Sequence, residues 1–207
     1  MLDASKRGKR GAFERCLVAC AFCLLALCAH GQGTFIYDQQ SADENHYLEG
    51  GAGLGQQPIG QSFTPMLNTV GFIRIYLVGG AFGGGTFTIN LRSDSITGNV
   101  IGSTTPVAAS GSGPVNFVFD APVAVTPGLT YFFQPVVQSG GGWGAFLAGY
   151  NYPGGTAFVN GSALPGSDFW FREGAVVPEP SASALLVIGG GVFFYARRLQ
   201  IRKQRRN

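Results

Sequence analysis

Residues 32–176 offer few side chains that could carry out chemistry. His46 is the one histidine in that span, and it sits beside Asp43, Glu44 and Asn45. A serine–histidine–acid relay needs an imidazole held between a nucleophile and an orienting carboxylate. No Gly-x-Ser-x-Gly sequence is present and His46 lies in a polar stretch, so it reads as a solvated loop residue. Zinc needs several histidine, cysteine or carboxylate ligands, and one histidine without a cysteine does not supply them. Glycoside hydrolysis needs two opposed carboxylates. The acids are Asp38, Asp43, Glu44, Glu49, Asp94, Asp120, Asp168 and Glu173, and spacing singles out no pair among them. Catalysis is therefore not expected, and neither is a cofactor. Calcium is the one ion the acids suit, because hard cations take carboxylate and carbonyl oxygens from loops. Asp38, Asp43 and Glu44 are its candidates, although no EF-hand spacing is present.

Aromatics in glycine-rich stretches are the other binding candidates. Trp143 follows Gly140-Gly141-Gly142, and Tyr150 and Tyr152 lie in Gly149-Tyr150-Asn151-Tyr152-Pro153-Gly154. Two readings stay open. On exposed loops these rings would stack on sugar rings; alternatively they plug the ends of a core beside Phe146 and Phe169. The Gly79–Gly85 stretch lacks the strand-to-helix context that a phosphate loop needs.

Short strands must position these residues. Thr86–Arg92 alternates strictly, with Phe87, Ile89 and Leu91 on one side; Val115–Asp120 does the same with Val115, Phe117 and Phe119. Phe72–Val78 sets Ile73, Ile75 and Leu77 against Arg74 and Tyr76. Period-two alternation marks a sheet with one buried face and one wetter face. Leu129–Val137 and Asp168–Arg172 complete the clearer strands; Gln61–Thr64 and Thr34–Asp38 are weaker. Pro127-Gly128 is placed as a turn ahead of the strand at Leu129. No sustained 3.6-residue period with caps occurs between 32 and 176. The expected class is all-β, an antiparallel β-sandwich, with helices only in the flanking segments.

Those segments have their own logic. Residues 1–15 hold Lys6, Arg7, Lys9, Arg10 and Arg15, and residues 16–29 are apolar. Basic, then apolar, then small is the secretory leader pattern, with Ala29 and Gly31 at the −3 and −1 positions of a cut after Gly31. An uncleaved anchor and lipid attachment at Cys28 are the alternatives; Leu27 stands against the second. Cys16, Cys20, Cys23 and Cys28 all fall in this leader, so residues 32–176 contain no cysteine. Charge also redistributes. The whole chain is +3, but residues 32–176 set three arginines against eight acids and no lysine, a balance of −5. A lysine-free acidic domain is a poor phosphate binder, which argues against nucleic acid as a partner.

At the other end, Val177-Pro178-Glu179-Pro180 precedes an apolar run from Ala182 to Ala196, followed by Arg197, Arg198, Arg202, Lys203, Arg205 and Arg206. As a helix the run would be about 22 Å long, at about 1.5 Å per residue, short for a hydrocarbon core of about 30 Å. The basic cluster would remain cytoplasmic.

Pro-Glu-Pro, an apolar stretch and an arginine-rich end together resemble the PEP-CTERM sorting signal of bacterial exported proteins. The resemblance covers roughly residues 177–207. It implies an exosortase as processing partner, alongside the secretion translocon and signal peptidase, and transient membrane tethering through the apolar segment. More diffusely, Gly60–Thr64, the strand from Val70, Pro122–Tyr131, Tyr152–Gly155 and Asp168–Arg172 resemble a jelly-roll-like domain of bacterial surface proteins. The chain thus divides into a leader (1–31), a β-sandwich (32–176) and a sorting signal (177–207). The expectation is a non-catalytic structural or adhesive domain in the cell envelope or extracellular matrix. A carbohydrate-binding module, with exopolysaccharide as partner, is the alternative; a glycan hydrolase is a distant third.

Overall fold

Alternating β-branched and aromatic residues close into two antiparallel sheets packed face to face. The computed structural model describes residues 33–43, 45–46, 50–79 and 83–177. Their strands are β1 (Thr34–Gln40), β2 (Ala52–Gly53), β3 (Gly60–Phe63), β4 (Thr69–Val78), β5 (Gly85–Ser93), β6 (Val100–Ser103), β7 (Val107–Ala109), β8 (Gly113–Ala124), β9 (Tyr131–Ser139), β10 (Gly144–Ala145), β11 (Leu147–Ala148), β12 (Ala157–Val159), β13 (Ser162–Leu164), β14 (Asp168–Phe169) and β15 (Phe171–Val177). No helix occurs among the described residues. The expected terminal helices, the leader and the segment from Pro178 onward lie outside them.

One sheet is centred on β4, which pairs with β8 on one side and with β15 and β10 on the other. Beyond these lie β1, next to β15, and β2, next to β10. The second sheet runs β13-β12-β3-β9-β5, with β6 and β7 both on the far side of β5. A small β11–β14 pair links Leu147 to Phe169 and Ala148 to Asp168.

The period-two faces are where the alternation puts them. Ile73, Ile75 and Leu77 of β4 and Phe87, Ile89 and Leu91 of β5 are all fully buried. Between the sheets Phe133 meets Phe171 at 5.3 Å, Phe169 at 5.9 Å and Phe63 at 6.2 Å between ring centroids. Each such side chain contributes about 1.5–3 kcal/mol by leaving water. The outer face of β4 is drier than the alternation suggests: Phe72 is fully buried there, covered by Phe35 at 4.7 Å and Tyr37 at 5.8 Å.

Several expected boundaries move, two of them with consequences for side-chain placement. The strand expected from Leu129 begins at Tyr131, and Leu129 is exposed in the preceding turn. The strand expected over Asp168–Arg172 is split at Trp170. There Trp170 exchanges backbone bonds with Phe146 and Tyr76 and turns its indole into an outer cluster with Ala42 and Tyr150.

The first and last strands share a border. Ser41 N–H donates to Phe171 O, while Gly174 lies against the backbone of Ile36 and Asp38, so β1 runs antiparallel to β15. The Phe35 end of β1 therefore lies beside the Val177 end of β15. Two turns share this end of the sandwich. Gly71 of β4 abuts Val176, the Asp38 carboxylate accepts the N–H groups of Met66 and Leu67, and Asn68 O and Pro65 O accept from Val125 and Gly128.

Candidate functional site

Two places have the character of a site: a groove walled by glycine, and a buried line of polar groups. The groove follows from small residues at the edge of a sandwich. Gly50–Gly55 and Gly140–Gly144 cannot fill the space where β2 and β10 turn away from β9, and a cleft of about 820 Å³ remains. Leu54, Val78, Val136, Val137 and Trp143 line it. Gln56 and Gln57 are its polar side chains, and no charged group lines it among the described residues. Gln57 is committed to the fold: its Nε2 donates to Leu54 O and Pro135 O, and its Oε1 accepts from Gln134. Trp143 is 3% exposed and meets Phe87 edge to face at 4.9 Å, with its indole N–H buried and unpaired.

The three aromatics singled out from sequence do not form a platform. Trp143 and Tyr152 belong to the core between the sheets, whereas Tyr150 packs with Trp170 in the outer cluster. All three are buried, beside Phe169 or Phe146 as the packing reading has them, whereas stacking on a sugar requires an open ring face. The Tyr152 hydroxyl donates to Gln39 Oε1 and accepts from Thr64 N–H, binding the loop to both sheets. Burial above all pushes its phenol up to about 12.

The polar line continues from that tyrosine. Asp168 is 2% exposed; its carboxylate accepts from Gln61 Nε2 at 2.8 Å and from Tyr152 N–H at 2.9 Å. Burial raises its pKa, against these hydrogen bonds. Glu173 is fully buried, with its carboxyl beside the Asp38 side chain and the Gln39 backbone. Burial, reinforced by the Asp38 charge, lifts its carboxyl to about 9. Sequence gave no sign of this pair, because β1 and β15 are more than a hundred residues apart in the chain and only their pairing brings the two acids together. Period two was the available signal: Phe171 and Glu173 fall on one face of β15.

Of the calcium candidates, Asp38 and Asp43 are described. Asp38 Oδ2 accepts from Met66 N–H at 2.7 Å and Leu67 N–H at 2.8 Å, so it caps a turn. Asp43 is exposed, Glu44 lies outside the described residues, and no cluster of three metal-ligating side chains occurs among those described. His46 is exposed and touches Tyr150 edge to face at 6.1 Å. Of the expected sorting motif, Val177 is the last residue of β15 and 44% exposed. Pro178, Glu179, Pro180 and the basic residues from Arg197 to Arg206 lie outside the described residues.

No family model, curated protein or solved structure matches the chain.

Proposed function

We propose that this chain is an exported protein, sorted through its Pro178-Glu179-Pro180 segment by an exosortase, whose β-sandwich serves the cell envelope or matrix in a non-catalytic, structural or adhesive role. The observation that supports the reading is where the last described strand ends. The compact unit runs from Phe35 to Val177, and the next residue is Pro178. A signal that is to be cut must lie outside the structure it releases, and here the last strand ends as the motif begins. The two sheets are read further as a jelly-roll, the arrangement that the order of sequence segments resembles. The membrane enters as a partner through the apolar run Ala182–Ala196.

The test is Glu179→Ala in the native host. The expected result is retention of the unprocessed chain in the membrane fraction, with the sandwich still protease-resistant. An unchanged mature mass and location, by mass spectrometry of cell fractions, rules the sorting role out.

The neutral groove favours one second reading, a binding site for an uncharged glycan. It rests on Gln56 and backbone groups exposed by glycine rather than on stacked aromatics. Affinity electrophoresis through neutral and acidic polysaccharide gels decides it. Retardation confined to neutral gels and weakened in Gln56→Ala supports it; no retardation in any gel removes it.

A further inference from the structure

We infer that, while the tail is inserted, the end of the sandwich formed by the Pro65–Asn68 and Thr126–Thr130 turns rests on the bilayer, with Met66 and Leu129 in the lipid interface. The inference builds on the sorting reading above and adds an orientation and a lipid-contacting surface.

Three observations meet at this end. Met66 is 70% exposed and Leu129 56%, the two most open large apolar side chains among the described residues. They sit on adjoining turns, joined where Gly128 N–H donates to Pro65 O and Val125 N–H to Asn68 O. Neither Pro-Met-Leu-Asn nor Thr-Pro-Gly-Leu-Thr carries a charge, so neither turn brings an ion to the interface. The nearby Asp38 carboxylate faces inward and is held by Met66 and Leu67 N–H.

The second link is reach. β15 leaves the sandwich at this same end, because Gly174 pairs with Phe72 and Val176 abuts Gly71 on the way toward Thr69. Only Pro178, Glu179, Pro180 and Ser181 separate Val177 from the apolar run at Ala182. The five steps from Val177 to Ala182 span at most about 18 Å when extended. Once the run is in the membrane, the end bearing Val177 has nowhere to go but the headgroup region. Two side chains are too few to hold a soluble domain on lipid, but a short tether raises their effective concentration at the surface. The opposite end, with the Ser110–Ser112 turn, faces away.

The test places single cysteines at Met66, Leu129 and Ser110, in the full chain with Cys16, Cys20, Cys23 and Cys28 replaced by alanine. Each is labelled with an environment-sensitive fluorophore and reconstituted into phosphatidylcholine–phosphatidylglycerol vesicles that carry a headgroup-level quencher. Labels at positions 66 and 129 are expected to shift to the blue and to be quenched severalfold more than the label at 110. Equal quenching at all three, in protein that floats with the vesicles, overturns the docking and leaves the tail reading intact. A chain ended at Val177 is the control. If it floats as well as the full chain, membrane attachment does not run through the tail, and both readings fall together.

Discussion

Glu173 is the residue with the most to say about stability. A carboxyl buried beside Asp38 is held in its neutral form, and its pKa rises from 4.5 to about 9. The folded state then binds a proton that the unfolded chain has released. Its contribution is intact below pH 4.5 and drains away as pH climbs through about 9, at no more than about 1.4 kcal/mol per pH unit. Asp168 and Tyr152 are shifted in the same direction, so all three favour the acid side. Glu173→Gln keeps the shape and removes the charge. The expected outcome is a melting temperature above that of the native protein at pH 8–9, and a flatter dependence between pH 5 and 9 by calorimetry. A variant that melts lower at pH 9 and keeps the native slope contradicts this account. Calcium belongs to the same scale. With Asp38 committed to a turn, millimolar calcium or a chelator is expected to leave the melting temperature unchanged, whereas a ligand selective for the native state must raise it.

Among the elements, β15 is the one on which the fold turns. It lies between β1 and β4, contributes Phe171 to the central aromatic group and brings Glu173 under Asp38. Gly174 lets β1 approach: a Cβ there would run into Ile36 O and the Asp38 amide. Gly174→Ala is therefore expected to cost about 1–3 kcal/mol, as overpacking does. Urea denaturation reads the loss, and faster amide exchange confined to Phe35–Gln40 and the Met66–Leu67 turn locates it. The same strands show what was legible beforehand. β4, β5 and β8 were readable because each is long enough for period two to stand out, and their inward residues are those the alternation names. β2, β10 and β11 were not: two residues each carry no period, and their place is fixed by partners such as Leu77 and Phe169. Trp143, Tyr150 and Tyr152 left two readings open for a related reason. Glycine neighbours mark a turn in the backbone, but the ring's direction depends on which sheet lies beneath it.

For the whole molecule, the decisive relation is between the last described strand and the proposed signal. The described unit closes with β15, and its last residue, Val177, immediately precedes Pro178. Any cut at or after Pro178 leaves every described strand in place, whereas a cut only seven residues earlier removes Phe171–Val177. That loss exposes the side of β4 now paired through Phe72–Ile75, strands β1 without its neighbour and opens the aromatic centre at Phe171. Truncating one such buried Phe costs about 3–5 kcal/mol, against a total stability of about 5–15 kcal/mol for a domain of ordinary size. Two truncations follow as a test. Residues 32–177 are expected to give a single cooperative transition by circular dichroism, at the melting temperature of the full chain in detergent. Residues 32–170 are expected to give no cooperative transition. A sorting enzyme acting on Pro178-Glu179-Pro180 would then release a finished domain. If 32–177 fails to fold while the full chain does, residues beyond Val177 are part of the fold, and the separation between sandwich and signal does not hold.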